Sequence, residues 1–436
     1  MAEEILLDYV VDQPNVPIDN TETGLKILLK VNASNALRQG GSSAPALRNH
    51  LALVLDVSSS MKKNELREVK QAAKSSLDRL RPGDIVSVIA FQSVVYKIIP
   101  ATVLESPEQI AALKARLDVI DSYQGGGTDM EHAISKAEEQ LLSVPDADVA
   151  RKMIIFTDGQ VTGIEQNCLR TAAEVSSRGT SIDALGFGPE FDYAFMQKLV
   201  SYSNGFTEKI DRTDEIQAVF AKRVENLTNA IAKNVNLHLT FTPNVRAGRG
   251  YRYAPEMNYL GNVRLPGEAR TISIPIGTLE KDKEYSYLIT CTVPKHTGNM
   301  RVIKAELEYD IPSMGLEREV STQSVVVTFS DDPTATNQIN GEVERVFDEV
   351  EIGRLVQELD KATKREDHRR ASIFFDILAK RYEELGDVDM QQHYVGLKAR
   401  YAQEGKLSQE DMNYSRHKST QRRDTAVQLV DASDLI

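Results

Sequence analysis

Three short segments concentrate oxygen-bearing side chains: Asp56-Val57-Ser58-Ser59-Ser60, Gly127-Thr128-Asp129 and Thr157-Asp158-Gly159. The hydroxyls of Ser58, Ser60 and Thr128, with the carboxylates of Asp56 and Asp158, make an oxygen-only donor set. Such a set suits a small, hard divalent cation that takes six oxygens and keeps water, Mg²⁺ first, with Mn²⁺ or Ca²⁺ as alternatives. No cysteine or histidine stands in these segments to favour a softer metal. A Ser-x-Ser pair places two hydroxyls on one side of a turn, and Gly125-Gly126-Gly127 allows close approach and unusual dihedrals. Each segment alone has a plainer reading, because serine after a strand commonly forms a turn or caps a helix and a glycine run is commonly a loop. Gly-Gly-Gly-Thr also lacks the lysine that a phosphate-binding loop needs.

What joins the segments is their place between regular elements. Asp56 ends the apolar run Leu51-Ala52-Leu53-Val54-Leu55, and Asp158 follows Met153-Ile154-Ile155-Phe156-Thr157. Runs apolar at nearly every position predict strands of a parallel sheet buried on both faces, so both loops open at strand carboxyl ends, where ligands gather in open α/β sheets. Leu66, Val69, Ala73, Leu77 and Leu80 recur at helical spacing, and Arg81-Pro82-Gly83-Asp84 stops that helix before the strand Ile85 to Phe91. Met130, Ala133, Ile134, Ala137 and Leu141 form a second stripe after the glycine loop. A further strand covers Ile182 to Gly188, Phe195, Leu199 and Val200 face inward from a short helix, and Gly205 to Ile210 closes the sheet. The final helix, Asp214 to Ala232, runs without a linker into the strand Val235 to Phe241. Strand, loop, helix, glycine loop, helix, strand, loop is the order that a single cage requires.

On these motifs the chain resembles the von Willebrand factor A (VWA) domain with its metal-ion-dependent adhesion site, over roughly Asn49 to Ala232. The resemblance implies that Ser58 and Ser60 ligate metal directly, that Thr128 does so directly or through water, and that Asp56 and Asp158 act largely through bound waters. All five positions match. It further implies a cation short of direct negative charge, whose coordination is completed by an Asp or Glu of a partner protein, so binding rather than turnover is expected. Thr128 moving between direct and water-mediated ligation, with a shift of the last helix, is the implied switch. Family resemblance offers an AAA-type ATPase, a kinase or phosphothreonine-reader assembly, or another VWA protein as partners.

Beyond this unit the period changes to two between Val235 and Phe329, with Gly, Pro and Asp turns, which predicts an antiparallel β-sandwich. N-terminal strands near Ile5 to Val11 and Gly24 to Val31 do not fit the parallel sheet, so the VWA unit is expected to be inserted into one sandwich. From about Glu342 to Ala402 three helices are expected, with breaks near Arg365-Glu366-Asp367 and Leu385-Gly386-Asp387. The expected architecture is α/β: a Rossmann-like, doubly wound, mostly parallel sheet inserted in an antiparallel β-sandwich, plus a C-terminal α-helical domain. The boundaries are 1–48 for the first sandwich strands, 49–233 for the VWA unit, 234–332 for the remaining sandwich, 333–405 for the helical bundle and 406–436 for a tail. This order resembles bacterial cytoplasmic VWA proteins with a following β-domain and helical region. In the tail, the small basic cluster of Arg416, Lys418, Arg422 and Arg423 reads first as part of a solvated tail, and the sharper alternative is a docking peptide in which the basic residues around Thr420 and Thr425 offer a kinase target.

Across 436 residues the formal charge is −12, which argues against nucleic-acid binding, since phosphate contacts need a basic footprint. The acidic start Met1-Ala2-Glu3-Glu4 is unlike a signal peptide, and no run has the length of a membrane span, so a cytoplasmic location is expected. Two cysteines, Cys168 and Cys291, exclude a disulfide framework. An enzyme is the weaker alternative: a haloacid-dehalogenase-type phosphoryl hydrolase needs a second carboxylate two residues after its nucleophile, where Ser58 stands. The seven histidines show no metal-ligand or triad spacing and are expected mostly at the surface. A third reading is a scaffold whose metal only stabilises the fold.

Overall fold

The computed structural model describes residues 4–38, 47–144, 149–158, 163–188, 190–203, 205–210, 212–263, 265, 270–281 and 283–420. The first strands are β1 (Ile5–Val11), β2 (Asn15–Pro17) and β3 (Glu22–Ala33), followed by the short α1 (Asn35–Arg38). An α/β unit follows: β4 (Arg48–Asp56), α2 (Lys63–Leu77), β5 (Ile85–Phe91), β6 (Val95–Val103), α3 (Pro107–Arg116), α4 (Met130–Leu142), β7 (Val149–Thr157), α5 (Glu165–Ser177), β8 (Thr180–Phe187), α6 (Tyr193–Ser201), β9 (Thr207–Ile210) and α7 (Ile216–Thr228). Its six strands lie in the order β6-β5-β4-β7-β8-β9, and all pairings are parallel except β5 with β6. Every residue of β5, and all of β4 after Arg48, is buried, as expected of strands covered on both faces. Two apolar clusters fill the two sides. One holds α2 and α7 residues such as Val69 and Phe220, and the other holds α4, α5 and α6 residues such as Ile134, Ala172 and Leu199.

Two antiparallel sheets pack as a sandwich outside this unit. They comprise β10 (Ala230–Phe241), β11 (Arg246–Ala254), β12 (Asn258–Asn262), β13 (Thr271–Glu280), β14 (Tyr285–Pro294), β15 (Gly298–Ile311) and β16 (Leu316–Ser330) together with β1 to β3. The sheet orders are β1-β3-β14-β11-β12 and β13-β10-β15-β16-β2. In β15 alternate residues from Ile303 to Ile311 are buried, the period-two pattern of strands with one face on the core. β14 pairs with β3 over the whole length of β14, from Tyr285 opposite Val31 to Pro294 opposite Glu22, so the α/β unit leaves and re-enters one sandwich between β3 and β10. One apolar cluster unites Ile5, Leu29 and Val31 with Leu237, Tyr287 and Leu307 across the two sheets.

The helices are α8 (Pro333–Thr336), α9 (Gly341–Lys364), α10 (His368–Glu384), α11 (Val388–Glu404) and α12 (Gln409–Thr420). Expected breaks at 365–367 and 385–387 coincide with the ends of α9 and α10, where Asp367 and Asp387 cap the next helices by accepting from Arg370 N at 3.0 Å and Met390 N at 3.1 Å.

The structure corrects the sequence reading in several places. The stretch expected as a tail from residue 406 begins with α12, whose Met412, Asn413, Ser415, Arg416 and Ser419 are buried. Arg416 is not a solvated basic residue, because it pairs with Asp360 at 2.6 Å, and Thr420 is buried against the Tyr193 hydroxyl at 3.1 Å, so neither is presented to a kinase. Arg422, Arg423 and Thr425 lie outside the described residues. The last helix of the α/β unit ends at Thr228, and residues expected at its C-terminal end, Ile231 and Ala232, belong to β10, whose register shifts there. His50 is fully buried in β4 rather than at the surface. The antiparallel edge β6 and the strands β11 and β12 had no clear sequence signal, since each carries glycine, proline or charge that interrupts the pattern.

Candidate metal centre

The parallel sheet sets the site by ending β4 at Asp56 and β7 at Thr157, side by side in register. The Asp56 carboxylate is fixed at both oxygens: Oδ1 accepts from Ser58 N at 2.8 Å and Oδ2 accepts from the Thr157 hydroxyl at 2.6 Å. Ser58 Oγ and Ser60 Oγ lie 2.9 Å apart, and Ser60 donates to Asp158 Oδ1 at 2.8 Å. Four of the five expected residues therefore form one continuous chain of oxygens.

Thr128 is brought in by the glycine loop, which the first loop holds directly. Ser59 donates to Gly126 O through its amide at 3.1 Å and its hydroxyl at 2.9 Å, and Gly125 N donates to Val57 O at 2.9 Å. Gly126 has φ +70°, a backbone conformation L side chains rarely adopt, and a Cβ there would stand 1.9 Å from Gln92 Oε1, so a side chain would be strained and would displace the Gln92 amide. Asp129 N donates to Gln92 O at 2.9 Å, and its side chain caps α4 by accepting from His132 N at 3.3 Å. Thr128, 4% exposed, is held between these anchors. Gly159, the last residue of the third segment, lies outside the described residues.

The electrostatics favour a cation. Asp56 is fully buried and its pKa is raised, chiefly by desolvation, against the hydrogen bonds from Thr157 and Ser58. Asp158 is pushed up to about 6, by burial first, with the charges of Asp56 and Glu65 adding and the Ser60 hydrogen bond opposing. Glu65 went unnoticed in the sequence. It is buried at the start of α2, where it accepts from Lys62 N at 3.0 Å, and its position three residues after the helix cap was the available signal. Asp158 thus feels the negative charges of Asp56 and Glu65, and neither Asp56 nor Asp158 has a basic partner among the described residues. Carboxylates kept close and dry without a counter-charge are the arrangement a divalent ion relieves. Among the described residues no group of three or more His, Cys, Asp and Glu converges, so the hydroxyls are integral to this donor set. The residues present fit a hard cation with an oxygen shell.

Comparison with known proteins defines the class. Residues 50–222 match the von Willebrand factor type A domain, a family of protein-interaction and adhesion modules that commonly bind a metal at a metal-ion-dependent adhesion site. The chain therefore carries a VWA domain, inserted in the sandwich described above. It is 24% identical over 268 residues to an uncharacterized protein, sll0103, of Synechocystis, covering 61% of this chain and 62% of that one. It is 27% identical over 203 residues to the inter-alpha-trypsin inhibitor heavy chain H1 of Bos taurus, covering 44% of this chain and 22% of that one. The chain thus spans less than two thirds of these curated relatives. Beyond the VWA unit, the whole architecture recurs in a von Willebrand factor type A structure from Catenulispora acidiphila, with TM-score 0.78 at 18% identity over 96% of this chain and 97% of that one. The ArnB paralog VWA2 from Sulfolobus acidocaldarius matches with TM-score 0.58 at 15% identity over 96% of this chain and 98% of that one. No helix among the described residues is long and apolar enough to cross a membrane.

Proposed function

We propose that this protein is a non-catalytic, Mg²⁺-dependent binding module that captures an acidic side chain of a partner protein at the carboxyl end of the VWA sheet. The observation that carries this reading is the uncompensated oxygen chain from Asp56 through Ser58 and Ser60 to Asp158, with Thr128 held beside it. Ser58, Ser60 and Thr128 would hold the ion, and Asp56 and Asp158 would act largely through water, since both Asp56 oxygens are already engaged by Ser58 and Thr157. Bound Mg²⁺ supplies a Lewis-acidic position that a carboxylate can occupy. The chain's own part is to keep hydroxyls rather than carboxylates nearest the ion, which leaves net positive charge for an incoming Asp or Glu.

Ser58, occupying the place of a second catalytic carboxylate, speaks against phosphoryl hydrolysis. The partner would be an AAA-type ATPase, a kinase or phosphothreonine-reader assembly, or a second VWA protein that presents an exposed Asp or Glu. The test is capture from native lysate with added Mg²⁺, against EDTA, Asp56→Ala and Thr128→Ala. Partner loss in all three controls, at unchanged protein stability, supports an adhesion site. Partner retention in EDTA with a lowered melting temperature makes the metal structural, and Mg²⁺-dependent phosphate release that Asp56→Ala abolishes makes the protein an enzyme.

A further inference from the structure

The rim of the metal centre carries positive charge that the fold does not use. Two residues beyond Ser60 the chain reads Lys62-Lys63, and both are exposed where α2 begins. Structure alone gives no reason for ammonium groups there: they stand at the positive end of the helix macrodipole, and a lysine side chain has no acceptor with which to cap free amides. α4, α6, α10 and α11 open instead on Asp129, Asp192, Asp367 and Asp387, each accepting from a first-turn amide. In a chain of net charge −12 the Lys-Lys pair is a local departure.

Farther along α2 the basic residues are paired. Lys70 meets Asp121 at 2.6 Å, Lys74 meets Asp118 at 2.7 Å, and Arg67 lies 3.4 Å from Glu68. Lys63 has no ion-pair partner among the described residues. The Lys62 ammonium, on a side chain 78% exposed, has Glu65 at 3.7 Å, a separation and exposure at which a pair holds little and opens easily. The start of α2 is also close to the oxygen donors, since Met61 N donates to Ser58 O at 3.2 Å and the Glu65 charge is felt by Asp158. Cα to Cα, Lys62 is within about 7 Å of Ser60 and Lys63 within about 11 Å, a span that a four-carbon lysine stem largely covers. On the α4 side, by contrast, the His132 ring faces the Asp129 carboxylate at 2.7 Å and Glu131 stands between them in the chain, so the unpaired cations lie on the α2 side.

From these two ammonium groups, their lack of a structural task and their place beside Ser60, we propose that the captured segment carries a second carboxylate, two or three residues from the one at the metal, and that Lys62 and Lys63 read it. The occupant is then an acidic stretch of the kind Asp/Glu-x-Asp/Glu, not an isolated acid. In an extended segment, side chains two residues apart share a face about 7 Å from each other, which matches the step from Ser60 to the α2 rim. This inference rests on the metal-dependent capture proposed above and adds the composition of what is captured.

Peptide-observed NMR titrations of the full chain in Mg²⁺ test it with two glycine-serine peptides, one holding a single glutamate and one holding two glutamates separated by one residue. The second glutamate is expected to tighten binding about five- to ten-fold at low ionic strength, above the roughly two-fold that a second identical carboxylate gives by number alone, and Lys62→Gln with Lys63→Gln is expected to return the ratio to that lower value. Lys70→Gln, farther along the same helix, is expected to keep the full ratio. A single-glutamate peptide that binds only with Mg²⁺, but with no further gain from the second glutamate or a gain that the double variant retains, overturns the second-carboxylate reading and leaves metal-dependent capture standing. A ratio that falls as far in Lys70→Gln assigns the gain to net charge and overturns it as well. Binding of either peptide that EDTA leaves unchanged overturns both.

Discussion

At the residue scale the account rests on a few side chains with unusual surroundings. Asp56 and Asp158 are held together without a basic neighbour, so a cation that binds the folded state must stabilise it by mass action. At a hundred-fold excess over its dissociation constant, Mg²⁺ is expected to add about 2.7 kcal/mol, read as a rise in melting temperature that Asp158→Asn removes. Gly126→Ala tests the loop beside Thr128. Its positive φ and the overlap with Gln92 predict a loss of about 1–2 kcal/mol in chemical denaturation, together with weaker Mg²⁺ stabilisation. The five candidate ligands were legible because serine, threonine and aspartate stand beside strand ends that are apolar throughout. Glu65 was not, because a glutamate in the first turn of an amphipathic helix looks like an ordinary solvated cap until the fold buries it.

At the element scale, β4 carries a titratable group that its sequence disguised. His50 sits in a strand buried on both faces, and burial first, then the charge of Arg151, lower its pKa to about 4. Its ordinary value is 6.5, so between pH 6.5 and 4 the unfolded chain binds the proton and the folded chain does not. The stability this neutral histidine contributes is present above pH 6.5 and lost as pH falls toward 4, on the order of 3 kcal/mol. His50→Gln should flatten that part of the stability profile. α7 is tied in a different way: Arg223, 5% exposed in its side chain, pairs with Glu208 of β9 at 2.5 Å and with Glu256, just before β12, at 3.2 Å, and lies over the Phe206 ring at 4.7 Å. Arg223→Ala is expected to cost roughly 2–3 kcal/mol in urea denaturation, below the full penalty of a broken buried pair because both glutamates keep solvent contact. The helix itself was visible from its apolar stripe. Its junction was not, since the helical spacing of Ile231 continues past the point where β10 takes over the chain's hydrogen bonds.

At the scale of the whole molecule, three units are joined: the parallel α/β unit, the sandwich it is inserted in and the C-terminal helices. The parallel sheet was evident from local runs alone, because strands buried on both faces need no partner to announce them. The sandwich was evident in its period but not in its pairing: that β3 lies against β14, some 260 positions away in the chain, is a long-range fact that only the insertion requires. α12 was missed because its exposed-looking polar sequence buries Arg416, Asn413 and Thr420 against other units, a tertiary choice that local propensity opposes. The proposed capture of a partner depends on a cation bound at the strand ends. Diffraction from crystals of the full chain grown with Mg²⁺, and again with Mn²⁺ for its anomalous signal, tests that most directly. The account predicts one octahedral ion at about 2.1 Å from the Ser58 and Ser60 hydroxyls, near Thr128, with a water or an acidic side chain from another molecule at its outward position. A pocket that stays empty, or one closed by a carboxylate of its own chain, contradicts it.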